Sequence, residues 1–482
     1  MHRFTTLLLA ATLLTGCSLA PGYRQPAMPV PASYPDTGDA GTSLATDIGW
    51  REYFGDDRLK AYIAAALANN RDLAASVARI EQAHAQFRIQ NSERFPEVGA
   101  QGDAIRTRTS AEAASSGGVS STFNQYDAAV AVSAFELDFW GRVRNLSAAA
   151  RARYFATIEA TNAFRLSLIG DVAATYVSLR SGEERVALAE RTVASRREGL
   201  DIARLRFDAG VTSSIDYDQS LTLVTQAETE LADLRRTTAQ TENQLMMLVG
   251  GPIATELPPG RPISDQGQFR GIDAGLPSAL LANRPDILQA EQQLRAANAD
   301  IGAARAAFFP MISLTGNFGY ASSSLDDLFQ GPARTWSFGG LLDLPIFDWG
   351  RRSANLRLTK AQRDETVALY QKTVQQAFRE VADGLVGRQR YVEQLEAQVR
   401  AVAAQRRLAE TARLRYDNGI SIYLEVLDAE RNLFTAEQQL LQLRSAALQN
   451  GISLYIALGG GLSESGPRRS AENPGTIAPQ RP

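Results

Sequence analysis

The chain has 482 residues, of which 44% are hydrophobic and 21% are charged, a mixture typical of a folded protein with a large core or several domains. Its 50 basic and 53 acidic residues leave a formal net charge of −3, so no basic excess indicates nucleic acid as a partner. Cys17 is the single cysteine, and His2 and His84 are the two histidines. These counts exclude an intramolecular disulfide and leave few ligands for a metal site or a Ser-His-Asp triad, so we expect no enzyme, no metal and no cofactor.

Residues 1–16 are predicted to be a signal peptide. Arg3 supplies the positive charge, and Phe4 to Leu14 forms an apolar run too short to span a bilayer as a helix. Leu14-Thr15-Gly16-Cys17 follows and resembles the bacterial lipobox, in which the cysteine is lipidated and becomes the first residue. In bacterial lipoproteins, an aspartate directly after the lipidated cysteine tends to cause retention at the inner membrane. This chain has Ser18 at that position, which favours the outer membrane. The alternative is an ordinary signal peptide with a chance cysteine.

The segment 17–56 is predicted to be an extended, lipid-anchored part of the chain, because residues 20–49 are rich in Pro, Ala and Gly. After Cys17 the sequence contains no apolar stretch of about 18 residues, the length at which a helix spans a bilayer. Any crossing of a membrane by the mature chain is therefore expected to use β-strands.

The chain contains an internal two-fold repeat. In the first part of each copy, Asn70 to Leu73 align with Arg284 to Ile287 and Phe95-Pro96 with Phe309-Pro310, 214 residues apart. Later the spacing is 209 residues, and the aligned pairs are Trp140-Gly141-Arg142 with Trp349-Gly350-Arg351, Arg204 to Gly210 with Arg413 to Gly419, and Gly250-Gly251 with Gly459-Gly460. The change of spacing marks a loop. We predict repeat 1 at 57–251, an equatorial linker at 252–283, repeat 2 at 284–460 and a flexible tail at 461–482.

Both copies are predicted to contain the same elements in the same order. These are a first helix at 57–94 and 284–308, a β-hairpin at about 97–139 and 311–347, a long helix at 142–209 and 351–418, and a return helix at 214–249 and 423–457. We expect Pro96 and Pro310 to end the first helices. Each long helix would measure about 100 Å, and we expect Gly210 and Gly419 to end it in the C′ position.

The hairpin segments alternate between apolar residues and polar or small ones. In 335–344, for example, Trp336, Phe338, Leu342 and Leu344 share one face. Strands of about ten residues with one apolar face suit a transmembrane barrel. The alternative reading of this alternation is a pair of soluble hairpins packed on a helix.

Four strands per chain cannot close such a barrel, since the smallest transmembrane barrels have about eight. An open sheet edge is not tolerated in lipid, so several chains must share one barrel if the strands cross a membrane. Three chains supply twelve strands, a size that suits a lumen, although the strands alone do not choose three.

Several motifs together resemble the outer membrane factors, the TolC-like exit ducts of tripartite pumps. They are the lipobox, Gly49 to Phe54, Asn70 to Leu73, both Trp-Gly-Arg elements, Tyr416 to Gly419 and Tyr423 to Ala429. The resemblance covers nearly all of residues 17–460. The lipidated N-terminus resembles the branch that serves resistance-nodulation-division (RND) pumps.

The resemblance implies an α+β membrane protein that forms a homotrimer in the Gram-negative outer membrane. Its 12-stranded β-barrel would be continued by a long periplasmic α-helical barrel, with a mixed equatorial domain around it. A periplasmic adaptor would join it to an RND inner-membrane transporter, and drugs or other small molecules would leave through it. Its only prosthetic group would be the lipid on Cys17.

The same resemblance assigns roles to the two helix–Gly–helix turns. Acids follow each glycine at Asp216, Glu425 and Asp428, and in the family acids at these positions line the periplasmic aperture, where rings of carboxylates favour cations. Tyr416 matches a tyrosine that bonds to the Asp216 position, whereas Ser421 replaces an arginine of some members. The alternative is that these acids serve as N-caps or first-turn residues of helices.

The turns themselves, at Gly210, Val211, Gly419 and Ile420, are expected to contact the adaptor. Two other functions fit parts of the sequence. A TolC-like duct for type I protein secretion fits the family resemblance, and a lipid-anchored periplasmic coiled-coil scaffold fits the lipobox and the long helices. The exported substrate is not readable from the sequence.

Overall fold

The structure is a computed structural model of the chain. It describes residues 18–34, 43–110, 120–252, 256–267, 271–275 and 277–465. The predicted signal peptide 1–16, the lipidation site Cys17 and most of the predicted tail 461–482 lie outside the described residues.

The chain divides into two compact units, each built from three stretches of sequence. Unit 1 consists of Met1–Ala27, Arg79–Ile158 and Gln289–Tyr370. Unit 2 consists of Met28–Ala78, Glu159–Leu288 and Gln371–Pro482.

Helices make up most of the described chain. In order they are α1 (Trp50–Tyr53), α2 (Asp57–Asn69), α3 (Arg71–Ser92), α4 (Arg142–Asp208), α5 (Ser214–Val249), α6 (Leu280–Asn283), α7 (Pro285–Ala306), α8 (Arg351–Asp417) and α9 (Tyr423–Ala457). The strands are β1 (Ser43–Leu44), β2 (Val98–Thr109), β3 (Ser121–Glu136), β4 (Ile272–Asp273), β5 (Met311–Ser322) and β6 (Arg334–Asp343). The helices α4 and α8 each contain 67 residues, which corresponds to about 100 Å. Within the described ranges, no helix combines the length and the apolar character needed to cross a bilayer.

A four-stranded antiparallel sheet belongs to unit 1, in the order β2-β3-β5-β6. The two hairpins are joined through β3 and β5, where Val130 is opposite Phe318. A bulge shifts the register of β3 between Val132 and Phe135, and Ala134 has a φ of 50° there. Such a bulge bends the strand and increases its twist. The outer strands β2 and β6 pair on one side only among the described residues.

Each hairpin leads into its long helix through a Trp-Gly turn. Gly141 and Gly350 have φ values of 75° and 85°, and Trp349 itself has a φ of 55°, in the left-handed region that favours glycine. Asp138 then accepts a hydrogen bond from the Arg144 backbone N–H at 2.7 Å, which satisfies a free amide of the first turn of α4.

The predicted single helix at 57–94 is wrong, because the structure has two helices that meet at Asn70. Asn70 has an extended ψ of 128°, and its side chain accepts a hydrogen bond from the Leu73 N–H at 2.8 Å. It also donates to the Leu248 carbonyl in α5 at 2.8 Å. The helix predicted at 284–308 is observed as one continuous helix, α7, which begins at Pro285; the preceding Arg284 donates to the Ala457 carbonyl at 3.0 Å. The prolines at 96 and 310 do not end these helices directly, since α3 and α7 end four residues earlier.

A small mixed region in unit 2 brings together parts of the predicted segments 17–56 and 252–283. The strands β1 and β4 pair in parallel there. The rings of Tyr53 and Tyr455 stack at 3.9 Å, and the Tyr455 hydroxyl donates to the Ile48 carbonyl at 2.6 Å. Trp50, Tyr53 and Tyr455 are among the most completely buried large side chains, so this aromatic cluster forms part of the hydrophobic core of the unit.

Asp56 joins three stretches of this region. Its carboxylate accepts hydrogen bonds from the Arg58 N–H at 2.9 Å, from the Tyr176 hydroxyl at 2.8 Å and from the Arg261 N–H at 2.9 Å. The first bond caps α2, and the other two hold α4 and the segment 256–267. A fully buried carboxylate is tolerated here because these bonds replace its hydration.

Candidate functional site

The first predicted turn closes α4 with a Schellman motif. The Val211 N–H donates to the Arg206 carbonyl at 2.8 Å, and the Gly210 N–H donates to the Phe207 carbonyl at 2.9 Å. Gly210 has a φ of 70°, and a Cβ built on it would meet nothing within 4 Å. Glycine is therefore required at this position by its backbone conformation and not by lack of space.

The second turn repeats this geometry at the end of α8. The Ile420 N–H donates to the Arg415 carbonyl at 2.8 Å and the Gly419 N–H to the Tyr416 carbonyl at 2.9 Å. Gly419 has a φ of 71°. The expectation that both glycines take the C′ position therefore matches the hydrogen bonding of both turns.

The apolar residues that follow the two glycines are exposed. Val211 and Ile420 have exposed fractions of 67% and 69%. Side chains of this kind at the apex of a turn are available to a protein partner.

A side-chain contact joins the two turns within one chain. The Arg206 guanidinium donates a hydrogen bond to the Tyr416 hydroxyl, and its Cζ lies 5.1 Å from the centre of the Tyr416 ring. The ring of Tyr416 also contacts that of Tyr423, with centroids 4.9 Å apart. Tyr416 is therefore held by a cation on the first turn and by an aromatic residue at the start of α9.

The structure thus gives Tyr416 a partner that the sequence did not indicate. The family resemblance implied a bond to Asp216, but in the described part of the chain the hydroxyl of Tyr416 is bonded to Arg206. Ser421, which replaces an arginine of some family members, has a buried hydroxyl without a hydrogen-bond partner among the described residues. Thr212, the aligned residue of the first turn, is in the same situation.

Two of the three predicted acids, Asp216 and Glu425, lie in the first turns of the return helices. Asp216 belongs to the first turn of α5 and Glu425 to that of α9. The cap of α5 is Ser213, whose hydroxyl accepts a hydrogen bond from the Ile215 N–H at 3.2 Å, while Ile422 provides no side-chain cap for α9. Neither acid is the N-cap residue, and both carry negative charge at the end of a helix dipole that favours it.

The three acids differ in their ion pairs. The Glu425 carboxylate lies 3.6 Å from the Arg415 guanidinium, and the Asp428 carboxylate lies 3.0 Å from the Arg431 guanidinium. Asp216 has no ion pair among the described residues. Of the three carboxylates, Asp216 is therefore the one whose charge is not offset by a neighbouring cation in the described part of the chain.

Behind the turns, a partly buried cluster of charges connects the helices of unit 2. Arg196 is 7% exposed and donates to the Leu223 carbonyl at 2.9 Å. Burial raises the pKa of Glu430, although the charges of Arg413 and Arg196 oppose this shift.

Within the described ranges, no group of His, Cys, Asp or Glu side chains could hold a metal ion.

Two cationic residues of this site, Arg206 and Arg415, were missed by the sequence reasoning. A signal was present, since both belong to the repeated element Arg204 to Gly210 and Arg413 to Gly419. The repeat placed an arginine next to each turn, but it did not show which aromatic or acidic side chain the arginine would contact.

A comparison with models of protein families identifies the family to which the chain belongs. The sequence model of the outer membrane efflux protein family matches residues 62–251 and 276–460. The chain is a member of this family. The match occurs twice, once over each of the two predicted copies.

Similar proteins support the same assignment over nearly the whole chain. The chain is 44% identical over 426 residues to the solvent efflux pump outer membrane protein SrpC of Pseudomonas putida, covering 87% of this chain and 90% of SrpC. It is 40% identical over 415 residues to the outer membrane protein OprJ of Pseudomonas aeruginosa, covering 86% of each.

Solved structures of outer membrane channels have the same fold. The open state of the Neisseria gonorrhoeae MtrE outer membrane channel has a TM-score of 0.86 at 35% identity, covering 93% of this chain and 99% of that one. The Campylobacter jejuni CmeC outer membrane channel has a TM-score of 0.87 at 26% identity, covering 93% and 96%. This efflux family protein therefore acts as the outer-membrane channel of an efflux pump, in a family of channel proteins and not of enzymes.

Proposed function

We propose that three copies of the chain assemble into one channel, in which each copy contributes four strands to a 12-stranded barrel in the outer membrane. The open sheet of unit 1 carries this proposal. Its outer strands β2 and β6 pair on one side only among the described residues, and unpaired backbone groups are not tolerated in lipid. Pairing β6 of one copy with β2 of the next removes every edge.

The exposure of the outer strands supports this assembly. All ten residues of β6 are exposed in the single chain, including Trp336 at 72% and Phe338 at 71%. At the strand-to-helix turn, Phe347 and Trp349 are 72% and 89% exposed. Aromatic side chains in this number suit the lipid-facing surface and the interfacial girdle of a membrane barrel.

The long helices would then form the periplasmic part of the channel, with the two turns of each copy at its entrance. Three copies of Asp216, Glu425 and Asp428 supply nine carboxylates around a narrow axis, which favours cations. The exposed residues Val211 and Ile420 would be offered to a periplasmic adaptor. We further propose an RND inner-membrane transporter as the source of energy and a lipid on Cys17 as the anchor.

The proposed cargo is small organic molecules. Relatives that cover most of this chain are named for solvent efflux and for antibiotic efflux, as in SrpC and in the antibiotic efflux pump protein ArpC of Pseudomonas putida. The proposed periplasmic adaptor and inner-membrane transporter are the partners that the family implies.

Single-channel recording of the purified full-length protein in planar bilayers tests the proposed entrance. We expect small cation-selective currents that increase when Asp216 and Glu425 are both changed to Ala. Asp218→Asn is the matched control, because Asp218 is an exposed acid two residues along the same helix. Unchanged conductance and selectivity in the double variant, or the same change in the control, would remove the carboxylate entrance.

The oligomeric state is tested separately by electrophoresis and native mass spectrometry in detergent. We expect a trimer that runs above the single chain on unheated gels and dissociates to the single chain on heating. A monomer in detergent would contradict the shared barrel, whatever its currents.

A further inference from the structure

The N-terminal segment of the described chain is held along α7. The Asn298 side chain donates to the Pro21 carbonyl at 2.7 Å, and Arg305 donates to the Leu19 carbonyl at 3.0 Å. The Tyr23 hydroxyl donates to Glu291 at 3.1 Å, where burial and the nearby carboxylate raise the pKa of Tyr23 to about 12. These bonds fix residues 18–25 against α7 and leave a cavity beside them.

This cavity has a volume of about 340 Å³ and lies between the N-terminal segment, α7 and the start of α8. Leu294 and Ile301 form an apolar part of its lining, with exposed fractions of 2% and 3%. Its charged part consists of four cations and one acid, namely Arg24, Arg305, Lys360, Arg363 and Asp364. An apolar floor with a cationic rim is the complement of an amphiphilic anion.

Most of this positive charge is not neutralised by the residues that the structure describes. Arg363 is paired with Asp364 at 3.0 Å, and Arg305 is engaged with a backbone carbonyl. Arg24 and Lys360 are exposed and take part in no ion pair or hydrogen bond among the described residues. Two cations without a partner among the described residues, and an arginine bonded only to a neutral group, therefore line one cavity, where a bound anion would offset their charge.

The position of the cavity in the chain indicates where such an anion comes from. Arg24 is seven residues from Cys17, and seven extended residues span at most about 25 Å. If the lipid proposed for Cys17 is present, the cavity lies within that distance of a membrane surface. Clusters of Lys and Arg next to a membrane attract anionic lipid headgroups.

We propose that this cavity binds a phosphate group, carried either by the headgroup of an anionic phospholipid or by free inorganic phosphate. Arg24 and Lys360 provide the charges that select it. The apolar floor at Leu294 and Ile301 accommodates the glycerol and first methylenes of a lipid. The position of the cavity near a membrane rests on the lipid anchor proposed for Cys17. The positive charge of the cavity does not depend on that anchor.

Native mass spectrometry of the full-length protein tests this site. The detergent-purified protein is incubated with phosphatidylglycerol, phosphatidylcholine or inorganic phosphate, and bound adducts per chain are counted. The matched pair of variants is R24Q/K360Q against R407Q/K372Q, since Arg407 and Lys372 are exposed cations of α8 outside the cavity and without an ion pair among the described residues.

We expect one phosphatidylglycerol per chain, bound in preference to phosphatidylcholine. The double variant R24Q/K360Q should weaken this binding roughly 30-fold, from the contribution of each cation near an anionic headgroup, while R407Q/K372Q behaves as the wild type. Competition by millimolar inorganic phosphate would identify the free ion as a ligand, and no competition would identify the lipid.

Equal retention of both lipids together with no effect of phosphate would overturn the proposal, as would equal binding by the two double variants. The same spectra report whether the chains form a trimer. A trimer without a phosphate adduct contradicts this site alone, and adducts on monomers contradict the shared barrel alone.

Discussion

The guanidinium of Arg206 donates a hydrogen bond to the hydroxyl of Tyr416 and lies over its ring. Arg206 is in the last turn of α4 and Tyr416 is in the last turn of α8. The contact therefore joins the two turns that the chain contributes to the proposed channel entrance. Its charged donor makes it stronger than a bond between neutral groups, although its exposure reduces this gain.

Tyr416→Phe is expected to loosen the two turns. The substitution removes the acceptor oxygen and keeps the ring, so that only the hydrogen bond is lost. We expect a contribution of about 1 kcal/mol, which corresponds to a roughly fivefold longer open time in single-channel records. Tyr217→Phe is the control, because Tyr217 lies at the start of α5 and stacks on Phe207. Open times equal to those of the wild type would show that this bond does not restrain the entrance.

The three acids of the proposed entrance are expected to differ in their effect on selectivity. Asp216 is not paired within the described chain, whereas Glu425 lies 3.6 Å from Arg415 and Asp428 lies 3.0 Å from Arg431. Asp216→Asn should therefore lower cation selectivity, measured as the reversal potential in a salt gradient, more than Glu425→Gln or Asp428→Asn. An equal or larger shift for either paired acid would contradict this order.

Asn70 is expected to contribute to stability through both atoms of its amide. Asn70→Ala leaves the Leu248 carbonyl and the Leu73 N–H without their partner, which costs about 1–3 kcal/mol when such groups are buried. Asn70→Ser should fall between alanine and the wild type, because serine also caps a helix but is too short to reach Leu248. Thermal unfolding in detergent measures the difference, and Asn69→Ala, at an exposed position, serves as the control. Equal melting of N70A and N69A would contradict this role.

The partly buried carboxyl of Glu430 is expected to make stability depend on pH. Burial raises its pKa above the ordinary value of 4.5, so the folded protein holds this proton more tightly than the unfolded chain. The bound proton's contribution to the stability of the folded state is then complete below pH 4.5. This contribution is lost as the pH rises through the pKa of Glu430 in the folded protein. Glu430→Gln should raise the melting temperature at pH 7, on the order of 2 °C, and should have no effect at pH 4. A lower melting temperature at pH 7 would show that ionised Glu430 is needed by Arg413 and Arg196.

Replacement of Cys17 by Ala is expected to abolish incorporation of labelled palmitate in cells. The trimer should still form, because the sheet edges that require pairing belong to residues 98–343 and not to the N-terminus. Metabolic labelling measures the lipid, and electrophoresis of the same sample measures the trimer. Labelled protein in the Cys17→Ala variant would contradict the lipidation site.

Local signals in the sequence were sufficient for the long helices. They were predicted at 142–209 and 351–418, and the structure has Arg142–Asp208 and Arg351–Asp417. A Trp-Gly turn at one end and a glycine at the other define each of them. Both signals act within a few residues of the boundary they set, because positive φ and helix capping are properties of the local backbone.

The break at Asn70 could not be predicted in this way. Asparagine occurs within helices as well as at their starts, and the apolar residues on either side of it keep a helical spacing. The Leu248 carbonyl that receives its amide lies 178 residues away in the sequence. The periodicity of 57–94 therefore continued through a position at which tertiary contacts divide the helix.

By itself, the sequence determined the order of the elements, the duplication and the types of side chain at the two turns, since these follow from local pattern and spacing. Only the tertiary structure decided that Tyr416 pairs with Arg206, that Asp216 alone of the three acids has no cationic partner among the described residues, and that Arg24 and Lys360 meet in one cavity. Hydrogen bonds and ion pairs require atoms within a few ångströms of each other. The packing of helices separated by some 200 residues, which no local pattern encodes, determines which atoms meet.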